Sequence, residues 1–187
     1  GGAVVDGVIP GVAVPTAMVG VAERGVMTLA LTAREAGGHA STPPSRPATV
    51  RLAQAIDRLH RHPFPLRLAA PVRAMLATVA PHAPQPLRGL FRRLRVTGPL
   101  VATVFSRLGP EMNAIVRTTA VVTRLSGAPG DNVLATAARA SLNIRLLTGD
   151  TVEGATARVR RIVGDDIEVA LVHGSDPSPR SPRPGPQ

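Results

Sequence analysis

From 133 to 147 the chain alternates between aliphatic and polar side chains for longer than any loop or helix would. Ala138, Ala140, Leu142, Ile144 and Leu146 fall on one face, and Arg139, Ser141, Asn143 and Arg145 on the other. A period of two is that of a strand with one face in a core and one face in water. Such a strand belongs in an antiparallel sheet covered on one side only, because parallel sheets bury both faces. The alternation also appears over 26–34, where Met27, Leu29 and Leu31 interleave with Thr28, Ala30 and Thr32, and again over 115–125. The last two-faced run, 115–125, is joined to 133–147 by a Ser126-Gly127-Ala128-Pro129-Gly130-Asp131 turn, which predicts a hairpin. A short final strand is expected over 167–172.

Two segments carry the helical period instead. Over 47–61, Ala48, Leu52, Ile56 and Leu59 share a face; Ser45 is placed to cap and Pro47 suits the first turn. The second helix is expected to begin at Asp150, which with Glu153 has capping-box spacing, and its stripe is Val152, Ala155, Val159 and Ile162. The order strand, helix, strand, strand, helix, strand is that of an α+β, ferredoxin-like split βαβ sandwich: a four-stranded antiparallel sheet with two helices on one face. The polar face, with Asn143 and Arg145, is left free to meet something else.

Between the first helix and the second strand, residues 66–108 read as short helices separated by proline, near 72–79, 87–94 and 100–108. This helical insertion holds most of the excess charge of the chain. All 22 basic residues are Arg, the net charge is +10, and residues 51–107 contain ten Arg against the single acid Asp57. Such a segment is either a solvated face or a dock for anionic groups. Aromatic residues are 2% of the chain, too few for base-stacking platforms, so nucleic acid is not expected as a partner. The absence of Cys excludes disulfides and thiolate metal sites. Residues 1–22 read as a connecting arm, 23–173 as the folded domain and 174–187 as a Pro-rich linker or tail. The start at Gly1-Gly2-Ala3-Val4-Val5, without Met, reads as a segment cut from something longer. With no leader and no span of about 20 apolar residues, the cytoplasm is favoured and a membrane is not expected as a partner.

Residues able to do chemistry are few. No HExxH, GxSxG or P-loop pattern occurs. Of the five histidines, His60 and His62 stand near Asp57 but fall short of a zinc site, and no metal is assigned to this chain. Gly37-Gly38-His39-Ala40-Ser41 is either a plain turn or a tight loop that presents His39 to a ligand. Arg145 is suited to bidentate capture of a carboxylate, although pattern alone favours a surface Arg paired with an acid. Asn132 by itself reads as a turn residue.

Several stretches, in order, resemble the inserted lid or dimerisation domain of the zinc-dependent aminoacylase and carboxypeptidase family. They are Val19-Gly20-Val21-Ala22-Glu23-Arg24-Gly25, Gly37-Gly38-His39-Ala40-Ser41-Thr42-Pro43-Pro44, His62-Pro63-Phe64-Pro65 and Arg117-Thr118-Thr119. Asp131-Asn132-Val133-Leu134, Asn143-Ile144-Arg145-Leu146-Leu147-Thr148-Gly149-Asp150 and Asp176-Pro177-Ser178-Pro179-Arg180-Ser181-Pro182 follow. The long insertion after Pro-Phe-Pro is similar to the carboxypeptidase S-like branch. The resemblance implies a discontinuous catalytic domain outside this chain, holding the zinc, and a lid that is not catalytic alone. It implies that His39 steadies the substrate carbonyl oxygen in the transition state, in the partner subunit's site, and that Asn132 and Arg145 bind substrate. The substrate implied is a small N-acyl amino acid or peptide. A homodimer is expected through edge strand 115–125 and the first helix. Ala135, Thr148 and Arg24 depart from the family pattern, which bears on the loop near Asn132. The competing reading is a non-catalytic dimeric binding module whose basic insertion docks to an anionic membrane or a protein.

Overall fold

Four strands realise the alternation in a computed structural model that describes residues 2–5, 16–20 and 22–179. They are β3 (Gly25–Arg34), β5 (Thr119–Ser126), β7 (Ala137–Leu146) and β8 (Glu168–Ser175), all antiparallel, in the order β5-β7-β3-β8. Helices α1 (Ala48–Arg61) and α6 (Val152–Val163) cover one face. This is the split βαβ sandwich the patterning requires. Two small hairpins are added: β1 (Gly2–Val5) with β2 (Thr16–Val19), and β4 (Gly38–His39) with β6 (Val133–Leu134).

The core lies between sheet and helices. Met27, Leu29 and Leu31 of β3 and Leu142, Ile144 and Leu146 of β7 are almost wholly enclosed by Leu52 and Ala55 of α1 and by Ala155, Val159 and Val163 of α6. Alanines on the helices let them approach the sheet closely, so aliphatic side chains fill the space without aromatic bulk. Phe64, partly buried against this core, lies under the Arg158 guanidinium, 5.3 Å from the ring centre.

The insertion has a core of its own. Helices α2 (Ala70–Val79), α3 (Leu87–Arg92), α4 (Leu94–Phe105) and α5 (Pro110–Val116) enclose Leu76, Phe91, Val101, Phe105 and Val116. It is thus longer than expected, because α5 takes residues that read as strand. Pro110 opens α5 after Gly109, whose φ of 143° only glycine adopts easily, and Val116 points into the helical core. Strand β5 therefore starts at Thr119 rather than at 115.

Other local expectations are corrected. Ser45 does not cap α1; the Glu35 carboxylate at the end of β3 accepts from Ala48 N at 2.7 Å and supplies negative charge to the helix N-terminus. Asp150 does not cap α6. Thr151 does, its hydroxyl accepting from Gly154 N at 3.1 Å, while Val152 N donates to Asp176 Oδ1 at 2.7 Å. Asp150 is drawn away to Arg67, at 2.7 Å, and to the Thr118 hydroxyl, which in turn accepts from Leu147 N at 2.8 Å. The predicted strand 133–147 is broken at 135–136, because β6 leaves the main sheet to pair with β4 and Glu35 N donates to Thr136 O. Strand β8 runs on to Ser175, and Ser178 exchanges hydrogen bonds with Glu23, so residues 174–179 are docked to the domain. The remainder of the expected tail, 180–187, lies outside the described residues, as do 1, 6–15 and 21 of the expected arm.

Candidate functional site

His39 stands in β4, opposite Val133 of β6, beyond the end of the main sheet where Arg34 faces Ala137. The turn that carries it needs glycine at Gly37, where φ is +79° and a Cβ would come within 2.8 Å of the Thr136 methyl. Ser41 meets the exposed ring twice at Nδ1: its backbone N–H donates at 3.2 Å and its Oγ lies at 2.8 Å. A backbone N–H can only donate, so this pattern assigns Nδ1 as acceptor and puts the ring proton on Nε2. His39 thus presents a free, oriented N–H to whatever approaches. Asn132 is fixed beside it, since its carbonyl accepts from Ala40 N at 3.0 Å. Its side chain is exposed.

Arg145 is at the opposite end of the sheet. It lies on β7 across from Val26 of β3 and Thr119 of β5, on the face the helices leave open. It is exposed and has no acid in ion-pair contact among the described residues, so the paired surface Arg that pattern favoured is not what the fold builds. Val26 and Arg34 are eight residue steps apart along β3, which at strand rise is roughly 27 Å, and His39 lies further on. The fold brings His39 and Asn132 together and keeps Arg145 away from both.

Sequence reading missed how the Arg145 end is made rigid. The half-buried Arg24 guanidinium donates to Ala114 O at 2.9 Å, Arg117 O at 3.1 Å and Arg145 O at 2.6 Å, and so ties the end of α5 to β7. Burial, and next the like charge of Arg145, push the Arg24 pKa below the ordinary arginine value, while Asp150 pulls it back. Also missed was a polar chain across the open face. Asn143 Nδ2 donates to Thr28 Oγ1 at 3.3 Å, and Thr28 Oγ1 lies 3.2 Å from His173 Nε2. His173 of β8 is set level with Thr28 by a bulge between Thr28 and Leu29.

On the helix side, β5 has no helix above its outer half. A groove of about 330 Å³ runs between it and α1, lined by Ile56, Leu59, Phe64, Val122 and His60 among others. Val121 and Leu125 of this edge strand are 58% and 66% exposed. Among the described residues, no group of three or more His, Asp or Glu could hold a metal ion. Asp57 pairs with Arg61, and His62 Nδ1 lies 2.8 Å from the Arg58 carbonyl, so these do not converge with His60. No helix among the described residues is long and apolar enough to cross a membrane.

The family described as Peptidase dimerisation domain matches residues 21–169. The chain belongs to that family. This dimerisation domain is 34% identical over 182 residues to the N-fatty-acyl-amino acid synthase/hydrolase PM20D1 of Xenopus tropicalis, covering 96% of the chain and 35% of the relative. To PM20D1 of Homo sapiens it is 32% identical, covering 97% and 36%. To a probable carboxypeptidase S-like 2 of Dictyostelium discoideum it is 32% identical, covering 85% and 30%. The dimerisation domain therefore spans about a third of the length of the curated relatives it matches. Among solved structures, an aminobenzoyl-glutamate utilization protein from Klebsiella pneumoniae shares the fold, with a TM-score of 0.51, 14% identity and coverage of 86% and 31%. The carboxypeptidase S-like resemblance read from the motifs is thus shown, and so is the α+β sandwich.

Proposed function

We propose that this dimerisation domain is the lid of a zinc-dependent metallopeptidase or N-acyl-amino-acid amidohydrolase, and that it completes a substrate site from two subunits. The observation that carries the reading is the separation of His39 and Asn132 from Arg145. Strand β5 is an edge with exposed apolar side chains, and unguarded edges pair. Two copies related by a two-fold axis would pair β5 antiparallel. The Thr119 end of one β5, beside Arg145, then faces the Ser126 end of its partner, beside His39 and Asn132. Pairing would also set the two α1 helices side by side over the open grooves.

In that arrangement Arg145 grips a substrate carboxylate through two parallel N–H bonds. The partner's His39 offers Nε2–H to the carbonyl oxygen, where negative charge grows during attack; such donors act most when charge develops. Asn132, next to it, offers an amide to the same substrate. A small N-acyl amino acid or peptide carries both a carboxylate and a scissile carbonyl. Among the described residues no group could hold zinc; in this reading the metal belongs to the catalytic domain, and this chain supplies the groups that bind and orient substrate.

The interface is tested in the full-length protein with Val121→Lys and Leu125→Lys. Both side chains are exposed in a single copy, so the fold should be kept. Light scattering should show a dimer for wild type and a monomer for the double variant, with hydrolysis lost. A variant that stays dimeric would overturn this interface.

A further inference from the structure

Helix α4 is apolar on both sides, which is the pattern of a helix buried all round. Only one of its two faces is covered. Gly98, Val101, Ala102 and Phe105 pack into the insertion core. On the other side, Val96 is 82% exposed and Leu100 56%, and Val104 and Leu108 continue the row at intervals of four. Its one charged residue is Arg95, and Arg92, Arg93 and Arg107 stand exposed around its two ends. From 66 to 116 the chain has seven Arg and a single acid, Glu111.

We propose that the outer face of α4 docks on an anionic lipid surface, lying in the headgroup region rather than crossing it. A lipid interface supplies both things the patch lacks, an apolar layer for the stripe and negative charge for the arginines around it. Arginine stems can lie along apolar surface while the guanidinium groups reach phosphate. A second copy of this chain fits worse, because the same ring of positive charge would face itself. No helix among the described residues can span a membrane, and the competing reading of the sequence already has the basic insertion dock to an anionic one or to a protein. Lying on a surface needs only a short amphipathic face, and here the exposure of the stripe supplies it. The insertion is tied by Arg24 to the Arg145 end of the sheet, so docking through α4 would turn that end towards the lipid.

The test uses the full-length protein and vesicle co-sedimentation, with vesicles of phosphatidylcholine alone and of phosphatidylcholine with an equal part of phosphatidylglycerol. Binding is expected only to the second, and it should weaken by an order of magnitude or so when salt shrinks the Debye length to about 3 Å. Leu100→Glu with Val104→Glu, and separately Arg92→Gln with Arg93→Gln and Arg95→Gln, should each lower the bound fraction by about ten-fold. Unchanged thermal denaturation of these surface variants shows that the fold is kept. Three results would overturn the proposal: no binding to either vesicle, binding untouched by both sets of substitutions, or a Leu100/Val104 variant that changes only the oligomeric state. The first would mean that the rest of the protein covers α4, and the third that a second copy does.

Discussion

Replacing Asp150 by Ala should destabilise the domain far more than removing a helix cap would. Asp150 joins three parts of the fold: Arg67 at the entrance of the insertion, Thr118 at the start of β5, and through Thr118 the backbone of Leu147. The Arg67 and Asp150 side chains are 37% and 30% exposed, so the pair is partly screened. A hydrogen bond to a charged group contributes about 1.5–3 kcal/mol, and the lower end applies to a pair this wet. Thr118 is 1% exposed and its hydroxyl would lose its acceptor, which adds about 1–2 kcal/mol. Together the loss is about 3 kcal/mol, or a fall in Tm of about 9 °C for a chain of this size. Thr151→Ala, which removes the observed cap, should cost only about 1 kcal/mol. Urea and thermal denaturation followed by circular dichroism give both values. In a double-mutant cycle, Asp150→Ala with Arg67→Gln should be strongly non-additive. Equal costs for Asp150→Ala and Thr151→Ala, with Arg67 additive to Asp150, would refute the reasoning and return Asp150 to the role of a cap.

Three further substitutions probe the core and the His39 turn. Leu142→Ala, at the centre of the sheet face, should cost about 2–5 kcal/mol in urea denaturation, because β3, α1 and β5 all close on it; a cost below 1 kcal/mol would contradict the packing described. Gly37→Ala should cost at least about 1 kcal/mol, since the positive φ and the Thr136 methyl both oppose a Cβ; a neutral result would show that the turn relaxes freely. Ser41→Ala removes the hydroxyl at His39 Nδ1 and should lower kcat of the full-length enzyme several-fold with little change in stability, as expected for a residue that orients a donor. Loss of stability without loss of kcat would make Ser41 merely structural.

The strands could be read from sequence because side-chain period is a local property. The aliphatic face of Ala138 to Leu146 could only lie under helices, and the open face followed from it. What could not be read depends on register between distant segments. Ile115 and Val116 are β-branched and precede a true strand, yet Val116 is claimed by the insertion core. Asp150 read as the cap of the second helix, yet Arg67, 83 residues before it, draws it away and Thr151 takes that place. His173 joins Thr28 and Asn143 only through a bulge, which leaves no mark in composition. His39 and Arg145 stood out as candidates from their surroundings, and the roles of His39, Asn132 and Arg145 came from the resemblance, whereas their division between two ends of the sheet came from the pairing of β3 with β7. The insertion was legible as basic and helical, but the bare outer face of α4 was not, because a row of Val and Leu reads as core until its neighbours are placed.

The division of the site between subunits can be measured by mixing. Full-length His39→Ala and Arg145→Ala should each be inactive as homodimers. After co-refolding in equal amounts, half of the dimers are mixed, and each mixed dimer holds one site with both residues intact. The account predicts recovery of about one quarter of wild-type activity from the two dead proteins. If His39 and Arg145 served a site within one subunit, every site would lack one of them, and mixing would recover nothing.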